Sequence, residues 1–325
     1  MARAAAAYYA GRDPFGARGD FTTAPEMSQA FGECLGLWAA VVWQQMGAPG
    51  TVHLVECGPG RGTLMADALR AIGSAMPAFR TALSVHLVET SPALRAAQER
   101  ALGPGVAAWH DSLDGVPPGP VILLGNEFLD ALPIRQFVRR GSGWAERYVA
   151  GSTFVEQPGG HPALPAEAPE GSVQEWGEAS EGFVAALAAR LAAEGGAALF
   201  LDYGPAESGL GDSLQALSRH GAADPLGPPG SADITAHVDF AALARVARAV
   251  GAAAHGPVPQ GLFLQSLGLV SRAAMLARAA PRTAGMQLSA AQRLVAPEGM
   301  GRLFKALALC HPGLPTPPGF EAPTA

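Results

Sequence analysis

The sequence predicts an α/β fold with a mostly parallel sheet, and two stretches predict it. The first is Thr51-Val-His-Leu-Val-Glu-Cys-Gly-Pro-Gly-Arg-Gly-Thr63, an apolar run closed by Glu56 and followed by glycines at 58, 60 and 62. From Thr63 an amphipathic helix follows, with Leu64, Ala68 and Leu69 on its apolar side. A strand, a glycine turn and a helix in that order make a nucleotide-type binding loop. The second stretch is His86-Leu-Val-Glu89, which repeats His53-Leu-Val-Glu56 at the end of the next strand, expected at 82–88. The helix between the two strands implies parallel neighbours. Glu56 and Glu89 then stand at one C-terminal edge, where open α/β sheets bind ligands.

The glycines of the loop let a ligand meet the backbone and supply positive φ for tight turns. The helix start offers unpaired N–H groups to an anionic end such as a carboxylate or phosphate. A dinucleotide fingerprint spaces its glycines G-x-G-x-x-G, and a P-loop ends in Gly-Lys-Ser/Thr. Here the pattern is Glu-x-Gly-x-Gly-x-Gly. That spacing resembles motif I of class I S-adenosylmethionine (SAM) methyltransferases.

At 325 residues, 49% hydrophobic and 15% charged, the chain has ample material for a core. It carries no apolar run long enough to span a bilayer, and its opening residues do not read as a signal peptide. Cysteines at 34, 57 and 310 are odd in number and lack ligand spacing, so neither a disulfide framework nor a metal site is expected. A reducing compartment fits them. Net charge is −6, with a single lysine, Lys305, in the C-terminal part and no basic block. A general nucleic-acid binder is therefore excluded.

Before the first strand, Thr22 or Thr23 can cap a helix beginning near Pro25, with Glu26 in its first turn and apolar positions at Leu35, Trp38, Val41 and Val42. His53 and His86 are either a metal pair, for which no third ligand is placed nearby, or buried hydrogen-bonded strand residues; the second is favoured. An acid closing the second strand, Glu89, suits vicinal ribose hydroxyls, because a carboxylate accepts from both. Ser91 is the expected N-cap of the next helix. Asp111 either meets the exocyclic amine of an adenine or is an ordinary turn residue. Residues 121–124 form a buried strand that runs into Gly125-Asn-Glu-Phe-Leu-Asp-Ala-Leu-Pro133. Two carboxylates and an amide at the mouth of an apolar strand favour chemistry over a plain turn.

Further on, 136–149 reads as a hairpin through Gly141-Ser-Gly143. Residues 151–172 read as an exposed loop, 180–193 as a helix ended by Gly195-Gly196, and 197–201 as a fifth strand leading to Asp202-Tyr-Gly204. The stretch 205–232, with Gln215 and His220, reads as loop. Asp239 is the expected N-cap of a helix over 241–250, and His237 either faces a substrate or bonds locally. Residues 303–309 are the last expected strand, after Gly299-Met-Gly301, and the Pro-rich tail after 311 is expected to fray.

Six ordered stretches together resemble one family. They are Gly-Asp-Phe-Thr-Thr-Ala-Pro-Glu-Met-Ser-Gln-Ala-Phe-Gly-Glu (19–33), Glu-Cys-Gly-Pro-Gly-Arg-Gly-Thr-Leu-Met-Ala-Asp (56–67), Asn-Glu-Phe-Leu-Asp-Ala-Leu-Pro (126–133), Asp-Tyr-Gly (202–204), Asp-Ile-Thr-Ala-His-Val-Asp-Phe (233–240) and Gly-Met-Gly-Arg-Leu-Phe-Lys (299–305). They are similar to the MidA-like methyltransferases, relatives of the mitochondrial complex I assembly factor that methylates arginine. The resemblance runs from about residue 8 almost to the C-terminus. Family members usually carry an extra helical segment before the Tyr-Tyr, and the 151–180 stretch matches none of these motifs.

The resemblance implies a class I, Rossmann-like, seven-stranded and mostly parallel sheet with family-specific helical and loop additions. Residues 1–45 would cover the cofactor, 46–310 form the methyltransferase domain with substrate-side insertions near 136–180 and 205–240, and 311–325 form the tail. It implies SAM as methyl donor and symmetric dimethylarginine on a core subunit of respiratory complex I as product, an activity of the eukaryotic members. The compartment would be the cytoplasm for a bacterial chain and the mitochondrial matrix for a eukaryotic one.

Methyl transfer is an in-line displacement, so the protein mainly has to align donor and nucleophile. Gly58, Gly60 and Gly62 would meet the methionine part of SAM, with Glu56 ordering the turn or the amine. Glu89 would hold the ribose, Asp111 the adenine, and Asn126 the adjoining mouth. Thr23, Glu26 and Gln29 are the polar candidates of the covering segment. A guanidinium acceptor needs carboxylates in bidentate contact; Glu127 is the first candidate and Asp130 the second. His237 is an optional base or orienting group, because guanidinium acidity rises as the new bond forms. Two rival readings stay open: a SAM enzyme with a small-molecule acceptor, and a non-catalytic assembly factor on the same fold.

Overall fold

The computed structural model describes residues 1–11, 23–218 and 221–321. The 12–22 part of the expected cofactor cover, with Thr22, lies outside the described residues, as do His220 and the 322–325 end of the tail.

Seven strands form the central sheet: β1 (Val52–Cys57), β2 (Leu83–Val88), β3 (Ala107–His110), β4 (Val121–Asn126), β5 (Gly196–Tyr203), β6 (Ala253–Pro259) and β7 (Phe304–Cys310). Their order is β6-β7-β5-β4-β1-β2-β3. β7 is antiparallel to both neighbours, and every other pair is parallel. β1, β4 and β5 are buried along their whole length, as the continuous apolar runs of a sheet covered on both faces require.

Each face has its own core. On one, Leu54, Ile122, Leu199 and Ala308 meet the helices Gln29–Gln45, Thr63–Ala75, Gln260–Ser266, Leu269–Ala279 and Ala284–Val295. On the other, Val55, Leu123, Phe200 and Leu309 meet the helices Glu178–Glu194 and Phe240–Ala249. Helix Gln29–Gln45 sits against Thr63–Ala75 at backbone distance, since a Cβ on Gly36 would lie 2.7 Å from Ala68 Cα. Two expected N-caps are in place: Ser91 accepts from the Leu94 N–H and Asp239 from the Ala242 N–H.

Four expectations are corrected. The helix expected from Pro25 onward is two helices, Ala24–Met27 and Gln29–Gln45, because Ser28 is extended at φ −144° and ψ 114°. Within the expected 151–172 loop, Thr153–Pro158 is a strand; with Gly143–Ala150, Arg135–Arg140 and Val173–Trp176 it forms a four-stranded antiparallel sheet. Its exposed residues lack the apolar alternation that marks a strand in sequence. The 205–232 stretch contributes Gln215–Ser218 and Gly221–Ala223, which join Asp233–Thr235 in a three-stranded sheet. The tail is docked rather than frayed: Trp38 Nε1 donates to Pro318 O at 3.2 Å, and Phe320 packs on Phe263 with ring centroids 5.2 Å apart.

The N-terminal helix Ala2–Gly11 contacts both Asp233–Thr235 and Pro92–Leu102 and buries Tyr8 completely. Both small sheets follow the C-terminal ends of β4 and β5, so these insertions stand over one edge of the main sheet. Among the described residues, no helix is long and apolar enough to cross a membrane.

Candidate active site

Parallel register places Glu56 opposite Leu87, so Glu56 and Glu89 close adjoining strands at one edge. Beyond Glu56 the chain turns through Gly58, Gly60 and Gly62 at φ +64°, +53° and +83°, left-handed values that disfavour other residues. A Cβ on Gly58 would sit 3.2 Å from the Phe128 ring, so a side chain there would crowd the end of β4. Glu56 is buried, and burial pushes its carboxyl up to about 8, although the Met65 backbone bonds to it. Its Oε2 has no hydrogen-bond partner.

Glu89 accepts the Ser91 N–H at 2.8 Å on Oε1 and the Gln98 amide at 3.3 Å on Oε2. Burial raises its pKa, against the lowering effect of these donors. Asp111 stands at the exposed rim beyond β3 and pairs with Arg95 at 2.7 Å.

β4 delivers Asn126, Glu127 and Asp130. Glu127 has φ +49°, one of two non-glycine residues with positive φ among those described. Such a conformation persists where its surroundings impose it, and it is concentrated at functional sites. Here Asp202, at the end of β5, imposes it. Asp202 Oδ2 accepts the N–H groups of Phe128, Leu129 and Asp130 at 3.2, 2.9 and 3.2 Å, while Glu127 N–H donates to Leu201 O at 2.9 Å. Burial, with Asp233 adding, pushes the Glu127 carboxyl up to about 7. Burial likewise raises Asp130 well above the carboxylate range, reinforced by Asp202, Glu127 and Asp233. Asn126 Oδ1 and Asp130 Oδ1 are buried without partners.

The segment before the first long helix closes over this edge. Ala24 N–H donates to Glu127 Oε1 at 3.4 Å, and Glu26 accepts from the Thr63 hydroxyl and faces Arg61 at 3.7 Å. Thr23 and Glu26 line the cavity; Gln29 does not, and its amide donates instead to Glu33 at 2.9 Å.

The result is one cavity of about 850 Å³ that runs from Gly58, Glu89 and Asp111 to Tyr203, Asp233 and His237. Among the described residues, seven carboxylates line it (Glu26, Glu56, Glu89, Asp111, Glu127, Asp130 and Asp233), against a single Arg or Lys, Arg61. Tyr203 donates its hydroxyl to Thr235 Oγ1 at 2.6 Å and meets the His237 ring edge-on at 5.5 Å. Partial desolvation lowers the pKa of His237, whose side chain stays exposed at the mouth. Asp202, Tyr203, Asp233 and Gln98 were not singled out as site residues; for the first three, position beside a strand end inside a matched motif was the available signal.

The two strand histidines join a third in a hydrogen-bonded chain. His53 Nδ1 lies 3.0 Å from His86 Nε2, His86 Nδ1 lies 2.9 Å from His110 Nε2, and His53 Nε2 meets Pro118 O at 3.1 Å. Their ring nitrogens are used by one another, and no cluster suited to a metal occurs among the described residues. All three cysteines are buried free thiols.

A sequence profile of a family of S-adenosyl-L-methionine-dependent methyltransferases matches residues 34–258. The chain belongs to this family. Among its relatives is the Drosophila melanogaster protein named protein arginine methyltransferase NDUFAF7 homolog, mitochondrial, 36% identical over 95% of this chain and 78% of the relative. The human protein arginine methyltransferase NDUFAF7, mitochondrial, is 34% identical over 93% of this chain and 76% of its own length. A crystal structure from Burkholderia thailandensis, solved with S-adenosyl-homocysteine bound, superposes with a TM-score of 0.83 at 29% identity, covering 98% of this chain and 86% of that one. The methyltransferase fold and SAM dependence of the family agree with the seven-stranded, mostly parallel sheet and with its glycine loop.

Proposed function

We propose that this methyltransferase acts on arginine side chains of a protein. The observation that carries the reading is a set of three buried oxygens without partners, Glu56 Oε2, Asn126 Oδ1 and Asp130 Oδ1, at the wall of a cavity lined, among the described residues, by seven carboxylates. Unpaired buried acceptors are costly and call for ligands rich in N–H donors. The ammonium of SAM and a guanidinium both supply them. SAM provides a methyl group on a sulfonium. Gly58, Gly60, Gly62 and Glu56 would hold its methionine end, Glu89 its ribose and Asp111 its adenine, with Thr23 and Glu26 as cover.

On the acceptor side, Glu127 and Asp130 would hold the guanidinium, and ionising them on contact with that cation offsets the cost of their burial. His237, exposed at the mouth, is placed to orient the incoming chain, and a general base is not required. The names of the relatives support arginine as acceptor. Symmetric dimethylarginine, a respiratory complex I subunit as substrate, and a reducing cytoplasmic or matrix location follow from the same resemblance.

The test is a lysate from cells lacking the protein, incubated with the purified enzyme and methyl-labelled SAM, followed by hydrolysis and amino-acid analysis. Label is expected in dimethylarginine of one protein band. Label only in small molecules, or none, would reject the reading.

A further inference from the structure

Gln98 lies on the helix Pro92–Leu102 and is completely buried. Its Nε2 donates to Gly60 O at 2.7 Å and to Glu89 Oε2 at 3.3 Å, and its Oε1 accepts from Trp109 Nε1 at 2.8 Å. An indole N–H can only donate, so Oε1 must face Trp109, and the amide NH2 must face Gly60 and Glu89. The orientation of the amide is therefore determined by its neighbours. One side chain joins the loop after β1, the acid after β2 and the strand β3.

We propose that Gln98 is the positioning residue for the nucleoside half of the cofactor, holding the Glu89 carboxylate in one geometry through an amide anchored on Gly60 O and Trp109. The proposal rests on the reading of Glu89 as the ribose acid. Ser91 N–H occupies Glu89 Oε1 at 2.8 Å and Gln98 occupies Oε2, and the carboxylate, with about four lone-pair sites, keeps acceptor capacity for the ribose. Without Gln98, Oε2 loses its side-chain donor and the carboxylate can turn about its terminal bond. The loop itself, which meets the methionine end, keeps its place against the helix backbone. A Cβ on Gly62 would lie 3.2 Å from Gln98 Cα, so the loop is packed directly on this part of the helix. Gln98 also helps keep Glu89 ionised, because its bond lowers a pKa that burial raises.

The experiment is calorimetric binding of S-adenosyl-homocysteine and of 5′-methylthioadenosine, which lacks the amino-acid end, to wild type, Gln98→Met and Glu89→Gln. Gln98→Met is expected to weaken both ligands by a similar factor, about ten- to a hundredfold, as loss of a hydrogen bond to a charged group implies. The acid limb of the affinity profile should also move to higher pH, since Glu89 without its donor takes up a proton sooner. A purely structural Gln98 would lower the Tm and leave that limb in place, which overturns the proposal. Wild-type affinity in Gln98→Met beside weakened Glu89→Gln overturns it and keeps the ribose reading. Unchanged affinity in Glu89→Gln removes that reading and the proposal with it. Should Gln98→Met fail to fold, Trp109→Phe frees the amide to turn; both ligands should again weaken in the same ratio, and unchanged affinity overturns the proposal.

Discussion

Asp202 accepts the backbone N–H of Leu129 at 2.9 Å, and by also taking the N–H groups on either side it holds the turn that carries Glu127. One buried carboxylate thus replaces the hydrogen bonds that a left-handed turn after a strand cannot make within the sheet. Asp202→Asn puts an amide NH2 or a weaker acceptor against these donors. A loss of about 1.5–3 kcal/mol in stability is expected, as for hydrogen bonds to charged groups. Methyl transfer should fall at least about tenfold, because misplacing an aligning group is costly. Affinity for S-adenosyl-homocysteine should hold. Thermal unfolding, a labelled-SAM assay and calorimetry check the three, and retained turnover would show that the turn does not need Asp202.

Glu127→Gln keeps the size of the side chain and its bond to the Ala24 N–H while removing the charge. Transfer to an arginine acceptor should drop by about a hundredfold or more, as expected when a desolvated charge pair loses one partner. Cofactor affinity should stay near wild type. Unchanged turnover would remove Glu127 from the acceptor subsite.

Acidity should act on the same group. The Glu127 carboxyl, pushed up to about 7 by burial, is protonated below that pH in the free enzyme and cannot pair with a cation. kcat/KM is therefore expected to rise through about pH 7, and this limb should disappear in Glu127→Gln. For stability the sign is opposite. A carboxyl whose folded pKa exceeds its unfolded value contributes stability at low pH that is lost as pH rises from about 4.5 to about 7. Glu127→Gln should therefore gain Tm relative to wild type across that window.

The histidine chain makes a separate pH prediction. Pro118 O can only accept, so His53 Nε2 donates, His53 Nδ1 accepts from His86 Nε2, and His86 Nδ1 accepts from His110 Nε2. A second proton on His86 would set two donors face to face. Burial, with the charges of His53 and His110 adding, lowers its pKa to about 4. The stability from neutral His86 is fully present above about pH 6.5 and lost as pH falls toward 4. Imidazole NMR should show His86 neutral at pH 5; a proton there would refute the tautomer order.

The tail makes the fourth contribution open to a direct test. Phe320 packs on Phe263, and Pro318 receives the Trp38 indole N–H. Phe320→Ala should cost about 1–3 kcal/mol, less than a fully buried aromatic because the residue keeps some exposure. An unchanged Tm would mean that the tail is not docked in solution.

Local chemistry carried most of the sheet and the glycine loop at the cavity wall. The runs ending at Glu56 and Glu89, the glycines between strand and helix, and the caps at Ser91 and Asp239 act through neighbours a few residues away, so they are legible in a one-dimensional pattern. β6 was not, because Gly256-Pro257 breaks its period and shifts its register against β7. The strand Thr153–Pro158 was hidden by its exposure, and the tail by its prolines. Only the tertiary structure could assign Asp202 to the turn of Glu127, 75 residues away, or bring Gln98 to Gly60 and Trp109 at once. It likewise took Gln29 out of the cavity and turned a pair of histidines into a chain of three. Long-range hydrogen bonds leave no periodic trace in a sequence, since each partner looks like an ordinary polar residue until the strands lie side by side.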